Sequence, residues 1–120
     1  MIDKKEMKRQ YKQHVPAMGI YQTKNRINGK IWIAAGRDLH GQMNSCRFQL
    51  KNGIHPNKEL QADYDRLGEE KFSFEVVDFL EPKKETGHNP AADLKTLEEM
   101  WLDKLQPYDD KGYHKKKREI

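Results

Sequence analysis

Residues 19–21 read Gly-Ile-Tyr and residues 30–34 read Lys-Ile-Trp-Ile-Ala, and these two short stretches decide the fold. Both are rich in β-branched and aromatic residues, which favour extended strands. Asn28-Gly29 lies between them and supplies the backbone conformation that a tight turn needs. The sequence therefore predicts a β-hairpin, with one strand near residues 19–24 and the next near residues 30–35.

Two helices are predicted to follow the hairpin. Residues 39–51 carry an apolar stripe at helical spacing, and Asp38 stands before them as an N-cap. Residues 56–67 carry a second stripe, and Gly68 is placed where a helix ends.

A third strand and a last helix complete the predicted architecture. Apolar and polar residues alternate over residues 72–79, as they do in a half-buried strand. Residues 89–105 read as a helix, with Pro90 in its first turn and Pro107 preventing its continuation. We predict an α+β fold, a small three-stranded antiparallel sheet flanked by helices.

Length and composition predict one folded domain with a basic segment at each end. A chain of 120 residues supports a single domain. We place a basic N-terminal extension at residues 1–17, containing a short helix that Pro16 ends. The folded domain covers residues 18–107. A basic, loose C-terminal tail covers residues 108–120.

The charge balance favours a polyanionic partner. The chain has 23 basic and 19 acidic residues, a net charge of +4, and 35% of its residues are charged. No apolar stretch is long enough to span a membrane, and the first residues lack the apolar run of a signal peptide. With Cys46 as the single cysteine, a disulfide framework is excluded. We expect a cytoplasmic protein with no membrane partner.

Glu98 stands out on the last predicted helix. At 100° per residue, Glu98 and several apolar residues fall within one arc of about 140° around the helix axis. Those residues are Leu94, Leu97, Trp101, Leu102 and Leu105. A carboxylate near apolar surface costs several kcal/mol unless it is paired, protonated or bound to a cation. Two interpretations stay open: a paired carboxylate at the rim of the face, or a metal ligand.

Together, these motifs resemble the GIY-YIG nuclease family over residues 19–105. The first strand motif is intact, whereas Trp32-Ile33-Ala34 stands where the family has Tyr-Ile-Gly or a close variant. The similarity also covers the turn at residues 28–30, the pair Leu60-Gln61, the segment 72–76 and the helix end at residues 101–107. The resemblance implies that residues 18–107 form a GIY-YIG-like domain.

The resemblance also implies an activity, the hydrolysis of a phosphodiester with one divalent metal ion. Tyr21 would help to activate the attacking water, and Glu98 would bind a single Mg²⁺. These two side chains are then expected to meet in one pocket. The alternative interpretation is structural, with Tyr21 a core tyrosine whose hydroxyl donates to Glu98.

Two further catalytic positions depart from the family pattern. Trp32 replaces the second tyrosine, and an indole offers one N–H donor and no acceptor. Gln42 replaces the arginine of the first helix and cannot supply a charged, bidentate fork to a phosphate. Cys46 stands where many members carry a histidine. Losing one preorganised donor typically costs about 10²–10³ in rate.

Three other cations are candidates to substitute for the missing arginine. Lys30, beside the second strand, is the best placed, and many family members have a lysine there. Arg47 lies on the opposite flank of its helix from Gln42. Arg37 precedes the helix, and the loop would have to take a detour to bring it to the site. We expect nucleic acid to be bound by Arg37, Arg47, Lys115, Lys116 and Lys117.

Histidine and cysteine suggest no additional site. The five histidines show no metal-ligand spacing. His55 is expected at the surface and Cys46 in the core.

Three functions remain open. The first is a nucleic-acid-binding protein built on a nuclease fold that cleaves slowly or not at all, with DNA as the expected partner and RNA as the alternative. The second is an active Mg²⁺-dependent DNA endonuclease that uses Tyr21 and Glu98. The third is a protein-interaction or regulatory module.

Overall fold

A three-stranded antiparallel sheet forms the centre of the protein, as predicted from the sequence. The computed structural model describes residues 16–81 and 89–115. The strands are β1 (Met18–Asn25), β2 (Ile31–Gly36) and β3 (Phe72–Leu80). Their spatial order is β2-β1-β3, so that β1 is central and β2 lies at an edge.

Three helices flank this sheet. They are α1 (Leu39–Lys51), α2 (Lys58–Leu67) and α3 (Ala91–Leu105). The Asp38 side chain caps α1 by accepting from the Gly41 N–H, and Asn57 caps α2 by accepting from the Leu60 N–H. Gln106 ends α3 in a left-handed conformation. None of the helices in the described part of the chain is long and apolar enough to cross a membrane.

The two faces of the sheet bury different side chains. On one face, the core formed with α1 and α2 contains Tyr21, Leu39, Cys46, Leu50, Leu60, Tyr64, Phe72 and Tyr113. Ile20 and Ile33 are also fully buried and, by strand alternation, point to the opposite face. Helix α3 packs against β1 and β2 and covers that second face. The side chain of Leu94 is the buried one on this helix.

Gly19 has a packing reason to be a glycine. A Cβ atom at this position would lie 2.0 Å from the carbonyl oxygen of Asp78, a backbone atom of β3. The register between β1 and β3 shifts between Ile20 and Tyr21, which marks a β-bulge. The glycine of the first motif therefore lets β3 approach closely just before the bulge.

The prediction of a loose tail from residue 108 is wrong for residues 108–115. Tyr113 is 2% exposed, its N–H donates to the Ile31 carbonyl at 3.0 Å, and Gly112 forms a parallel bridge with Ile31. The prediction relied on the basic composition of these residues and overlooked Tyr113, whose ring packs in the core. We call residues 107–115 the C-terminal segment. The expected N-terminal helix, Lys116 and Lys117 lie outside the described residues.

Candidate functional site

Tyr21 lies in the core between β1 and α1. It is 2% exposed, and the Cys46 thiol is the neighbour that acts on its hydroxyl electrostatically. Burial raises the pKa of the Tyr21 hydroxyl far above its ordinary value, and the nearby Cys46 adds to this effect. The phenol is therefore protonated at neutral pH. Cys46 is buried, as predicted, and its sulfur lies 3.5 Å from Oγ1 of Thr23.

Trp32 is packed among three other rings. The Tyr21 ring meets it edge-on, with the ring centroids 6.0 Å apart. The His55 ring meets it edge-on from another side, at 4.7 Å. The His114 ring lies parallel to the indole, with an interplanar angle of 5° and a centroid distance of 6.2 Å. The larger indole thus fills space that these rings enclose.

His55 belongs to this ring cluster, so the prediction of a surface residue is wrong. Its side chain is 5% exposed, and Nδ1 accepts from the Asn57 N–H at 3.0 Å. Nε2 is buried without a hydrogen-bond partner in the described part of the chain. Burial lowers the pKa of His55. Gln61 holds the residue in place, because its Oε1 accepts from the His55 N–H.

Glu98 reaches the edge of the sheet from α3. Its Oε2 accepts from the Ala35 N–H at 3.1 Å, so the carboxylate is fixed against β2. Tyr21 packs instead in the core cluster that contains Leu39 and Cys46 of α1. Among the described residues no hydrogen bond joins Tyr21 to Glu98, and the interpretation of Glu98 as the acceptor for this phenol is wrong. The two residues approach the site from opposite layers.

The donor set at Glu98 fits a magnesium ion that keeps most of its water. Oε2 is engaged with Ala35, whereas Oε1 has no hydrogen-bond partner within residues 16–81 and 89–115. Mg²⁺ is commonly held by one or two carboxylates and retains several waters. Over the same residues, no group of three or more His, Cys, Asp or Glu could hold a metal ion. Glu98 would therefore be the principal protein ligand.

Gln42 lies at the start of α1 and is exposed. Its Cγ occupies the space beside Gly36, where an added Cβ would meet it at 2.6 Å. The amide therefore stands near the end of β2, and it carries no charge. Lys30, the best placed substitute cation in the sequence, forms a 2.6 Å salt bridge with Glu59. This hydrogen bond raises the pKa of Lys30.

The two candidate arginines have other partners. Nη2 of Arg37 donates to Oδ1 of Asn89 at 2.6 Å. The Arg47 guanidinium lies over the Phe74 ring, 4.6 Å from its centroid. Lys115 is exposed at the end of the C-terminal segment.

His114 is a neighbour of the site that sequence reasoning did not identify. Its Nε2 accepts from the Ile33 N–H at 2.9 Å, two residues along β2 from the amide that Glu98 binds. Burial lowers the pKa of His114. His55 and His114 are far apart in the sequence, so no spacing signal could have paired them. The C-terminal segment along β2 brings His114 to Trp32, and the connection between α1 and α2 brings His55.

Comparisons with known proteins show the fold. No protein-family model matches the sequence, and no curated protein matches it significantly. The catalytic domain of the homing endonuclease I-TevI matches with a TM-score of 0.64 and 24% identity, covering 80% of this chain and 95% of that chain. A glutamate-to-alanine mutant of the catalytic domain of intron endonuclease I-TevI matches with a TM-score of 0.62 and 21% identity, covering 75% and 84% of the two chains. The chain has a GIY-YIG-like fold.

Proposed function

We propose, starting from its GIY-YIG nuclease fold, that this chain binds nucleic acid, chiefly DNA, and cleaves it slowly or not at all. One observation carries the proposal: Trp32 and Gln42 stand where the resemblance places a tyrosine and an arginine. The indole can donate one hydrogen bond and accept none. The glutamine has no charge with which to stabilise a phosphorane-like transition state.

The surroundings of Tyr21 support weak catalysis. A phenol that activates water must accept a proton, either directly or through its ionised form. Burial holds the pKa of Tyr21 far above neutrality, so the ionised form that could accept a proton is scarce at pH 7. Tyr21 is therefore better suited to holding the core together than to general base chemistry.

The neighbouring cations do not replace the missing arginine. Lys30 is neutralised by Glu59 at 2.6 Å, and Arg47 lies over the ring of Phe74. Arg37 is the closest guanidinium to the start of α1 in sequence, and it donates to Asn89. Each would have to exchange an existing partner for a phosphate.

Binding, in contrast, needs only distributed positive charge. Contacts from lysine and arginine to phosphates supply affinity without reading the sequence. Arg37, Arg47 and Lys115 are exposed, and Lys116 and Lys117 continue the basic run. We propose these five residues as phosphate contacts, with a binding affinity that falls steeply as salt is added.

A divalent ion would bind at Glu98 in this proposal. Oε1 of Glu98 would hold it while Oε2 stays on the Ala35 amide. Bound there, Mg²⁺ would supply Lewis-acid polarisation of a phosphate oxygen. The role of the chain itself is to fix the carboxylate at the β2 edge.

Binding and cleavage are tested separately. Fluorescence anisotropy with short labelled DNA and RNA duplexes and single strands, at low and rising salt, measures binding. We expect DNA to bind at low salt, and a preference for RNA would correct the choice of partner. No affinity for any of these probes at low salt would overturn the proposal and favour a protein-interaction module.

An active endonuclease is the second candidate, and one observation favours it. The Glu98 carboxylate is held in a fixed position by the Ala35 amide and offers a second oxygen. Plasmid incubated with Mg²⁺ or Mn²⁺ would then be cut by the purified protein and left intact by Glu98→Gln. Cleavage that persists in Glu98→Gln would point to a contaminant, because the proposed ligand has been removed.

A further inference from the structure

A groove lies between the start of α2 and the C-terminal segment, and Lys115 is the one residue of its lining that the function proposed above already uses. It is lined by Pro56, Asn57, Lys58, Glu59, Tyr113, His114 and Lys115. Its volume of about 470 Å³ falls within the range of ligand sites, roughly 300–1,000 Å³. The groove can therefore take a group as large as a sugar-phosphate unit.

The two walls of this groove are fixed to one another. Nδ2 of Asn57 donates to the carbonyl oxygen of Tyr113 at 2.9 Å, and the Tyr113 hydroxyl donates to Oδ2 of Asp63 at 2.8 Å. Both contacts join α2 to the C-terminal segment. The shape of the groove is thus fixed before a ligand binds, which lowers the entropic cost of binding.

The charge in the groove is positive. Lys58 and Lys115 contribute two ammonium groups, and neither forms an ion pair within the described residues. Glu59 is the one acid in the lining, and Lys30 pairs with it at 2.6 Å. Because this carboxylate is neutralised, an anion in the groove meets two uncompensated cations.

His114 adds a neutral donor to this lining. Its Nε2 accepts from the Ile33 N–H, so the proton of a neutral imidazole must be on Nδ1. Burial lowers the pKa of His114, which keeps the ring neutral at pH 7. Nδ1 has no hydrogen-bond partner within residues 16–81 and 89–115, and is able to donate to an oxygen of a ligand.

We infer that this groove is a phosphate-binding subsite for the backbone of a bound nucleic acid, with Lys58, His114 and Lys115 as the donors. The inference rests on the proposed function. Because His114 also stacks on Trp32, the subsite adjoins the position of the altered second motif. It would hold a phosphate beside the site with charged groups, which the neutral Gln42 cannot supply.

Binding of a short labelled DNA duplex, followed by anisotropy over a range of salt concentrations, tests this subsite. Lys58→Gln and Lys115→Gln should each weaken binding and reduce the slope of log affinity against log salt by about 0.9, the value for one lost phosphate contact on duplex DNA. Lys95→Gln is the matched control, because Lys95 is exposed on α3 outside the groove. It removes the same charge and should leave the slope closer to the wild-type value.

His114→Gln separates the neutral donor from the charges. Glutamine keeps an acceptor for the Ile33 N–H, while the imidazole Nδ1–H is lost. We expect an affinity loss of about two- to ten-fold, the size of one hydrogen bond, with the salt slope unchanged. Thermal unfolding of the variant shows whether the C-terminal segment stays folded, and the exposed lysine variants test the groove independently of that result.

The outcomes distinguish this inference from the proposed function. Wild-type protein that binds DNA while Lys58→Gln and Lys115→Gln behave like Lys95→Gln overturns the subsite alone. Wild-type protein that binds no nucleic acid at low salt overturns both proposals. Slopes reduced in the groove variants and unchanged in the control support the subsite.

Discussion

At the scale of single residues, the indole of Trp32 affects both the packing of the core and the chemistry of the candidate site. It is held between Tyr21, His55 and His114 by ring contacts at 4.7–6.2 Å. The cluster gives Trp32 a packing role that a smaller phenol would fulfil less completely. In the proposed function the indole also leaves this position without a hydroxyl, so the side chain that favours stability is the one that disfavours cleavage.

Restoring the two lost groups should restore cleavage. We predict that Trp32→Tyr combined with Gln42→Arg increases Mg²⁺-dependent cleavage of plasmid DNA by at least about 10²-fold, since one preorganised donor is worth about 10²–10³. Cleavage rates of the wild type and the double variant at equal protein concentration provide the measurement. Adding Glu98→Gln to the double variant is the control and should abolish the gain. An unchanged rate in a folded double variant would contradict the idea that these residues limit catalysis.

The buried imidazoles of His55 and His114 predict a pH dependence of stability. Burial lowers both pKa values from the ordinary 6.5. The unfolded chain therefore takes up protons at a higher pH than the folded chain, and unfolding is favoured as the pH falls below 6.5. The stabilising contribution of the neutral rings is fully present above about pH 7 and is lost as the pH falls toward their folded pKa values.

Denaturant unfolding between about pH 8 and about pH 5 measures this effect. The free energy of unfolding of the wild type should decrease as the pH is lowered. This decrease should be smaller in a His55→Gln, His114→Gln double variant. An equal decrease in both proteins would show that carboxylates, and not these histidines, govern the acid sensitivity.

At the scale of elements, the contact between β1 and β3 depends on Gly19. We predict that Gly19→Ala destabilises the protein by about 2–4 kcal/mol, because the new methyl group meets the Asp78 carbonyl at 2.0 Å. Gly53→Ala is the control, since it has a positive φ of 71° and no atom within 4 Å of an added Cβ. It should cost about 1–2 kcal/mol for the left-handed backbone alone. Equal costs, measured by urea unfolding, would show that the close approach of β3 is unimportant.

The C-terminal segment is predicted to be part of the folding unit. Tyr113 is buried, and its hydroxyl accepts from Nδ2 of Asn25 at 3.0 Å and donates to Asp63. Tyr113→Ala should cost roughly 3–5 kcal/mol, and Tyr113→Phe, which removes only the hydroxyl, about 1–3 kcal/mol. Chemical denaturation of the two variants provides the comparison. A Tyr113→Ala protein as stable as the wild type would mean that this segment packs without contributing to stability.

Local signals explain which elements could be predicted from the sequence. Residues 39–51 form a helix with the predicted bounds. Asp38 caps its start, and Asn52-Gly53 follows its last residue and ends it. The strands were likewise recognisable from alternation and turn residues. The C-terminal segment was not, because its structure depends on contacts with β1, β2 and α2 that lie far away in the sequence.

At the scale of the whole molecule, the candidate site combines parts from both layers and from the chain end. Tyr21 and Trp32 could be identified by resemblance alone, whereas Glu98 could also be identified from its place on the apolar face of the last predicted helix. Their surroundings could not, since Cys46, His55 and His114 reach them only through tertiary packing. Placement of the carboxylate on Ala35 likewise depends on how α3 crosses the edge of the sheet.

Strand β2 pairs with β1 on one side only, and three backbone groups on its outer side have other partners. The Ile31 carbonyl accepts from Tyr113, the Ile33 amide donates to His114, and the Ala35 amide donates to Glu98. An unprotected strand edge is a template for pairing with other chains and for amyloid growth. The C-terminal segment and the Glu98 side chain therefore also protect this edge against self-association. A variant that lacks these contacts should precipitate on storage before it loses secondary structure.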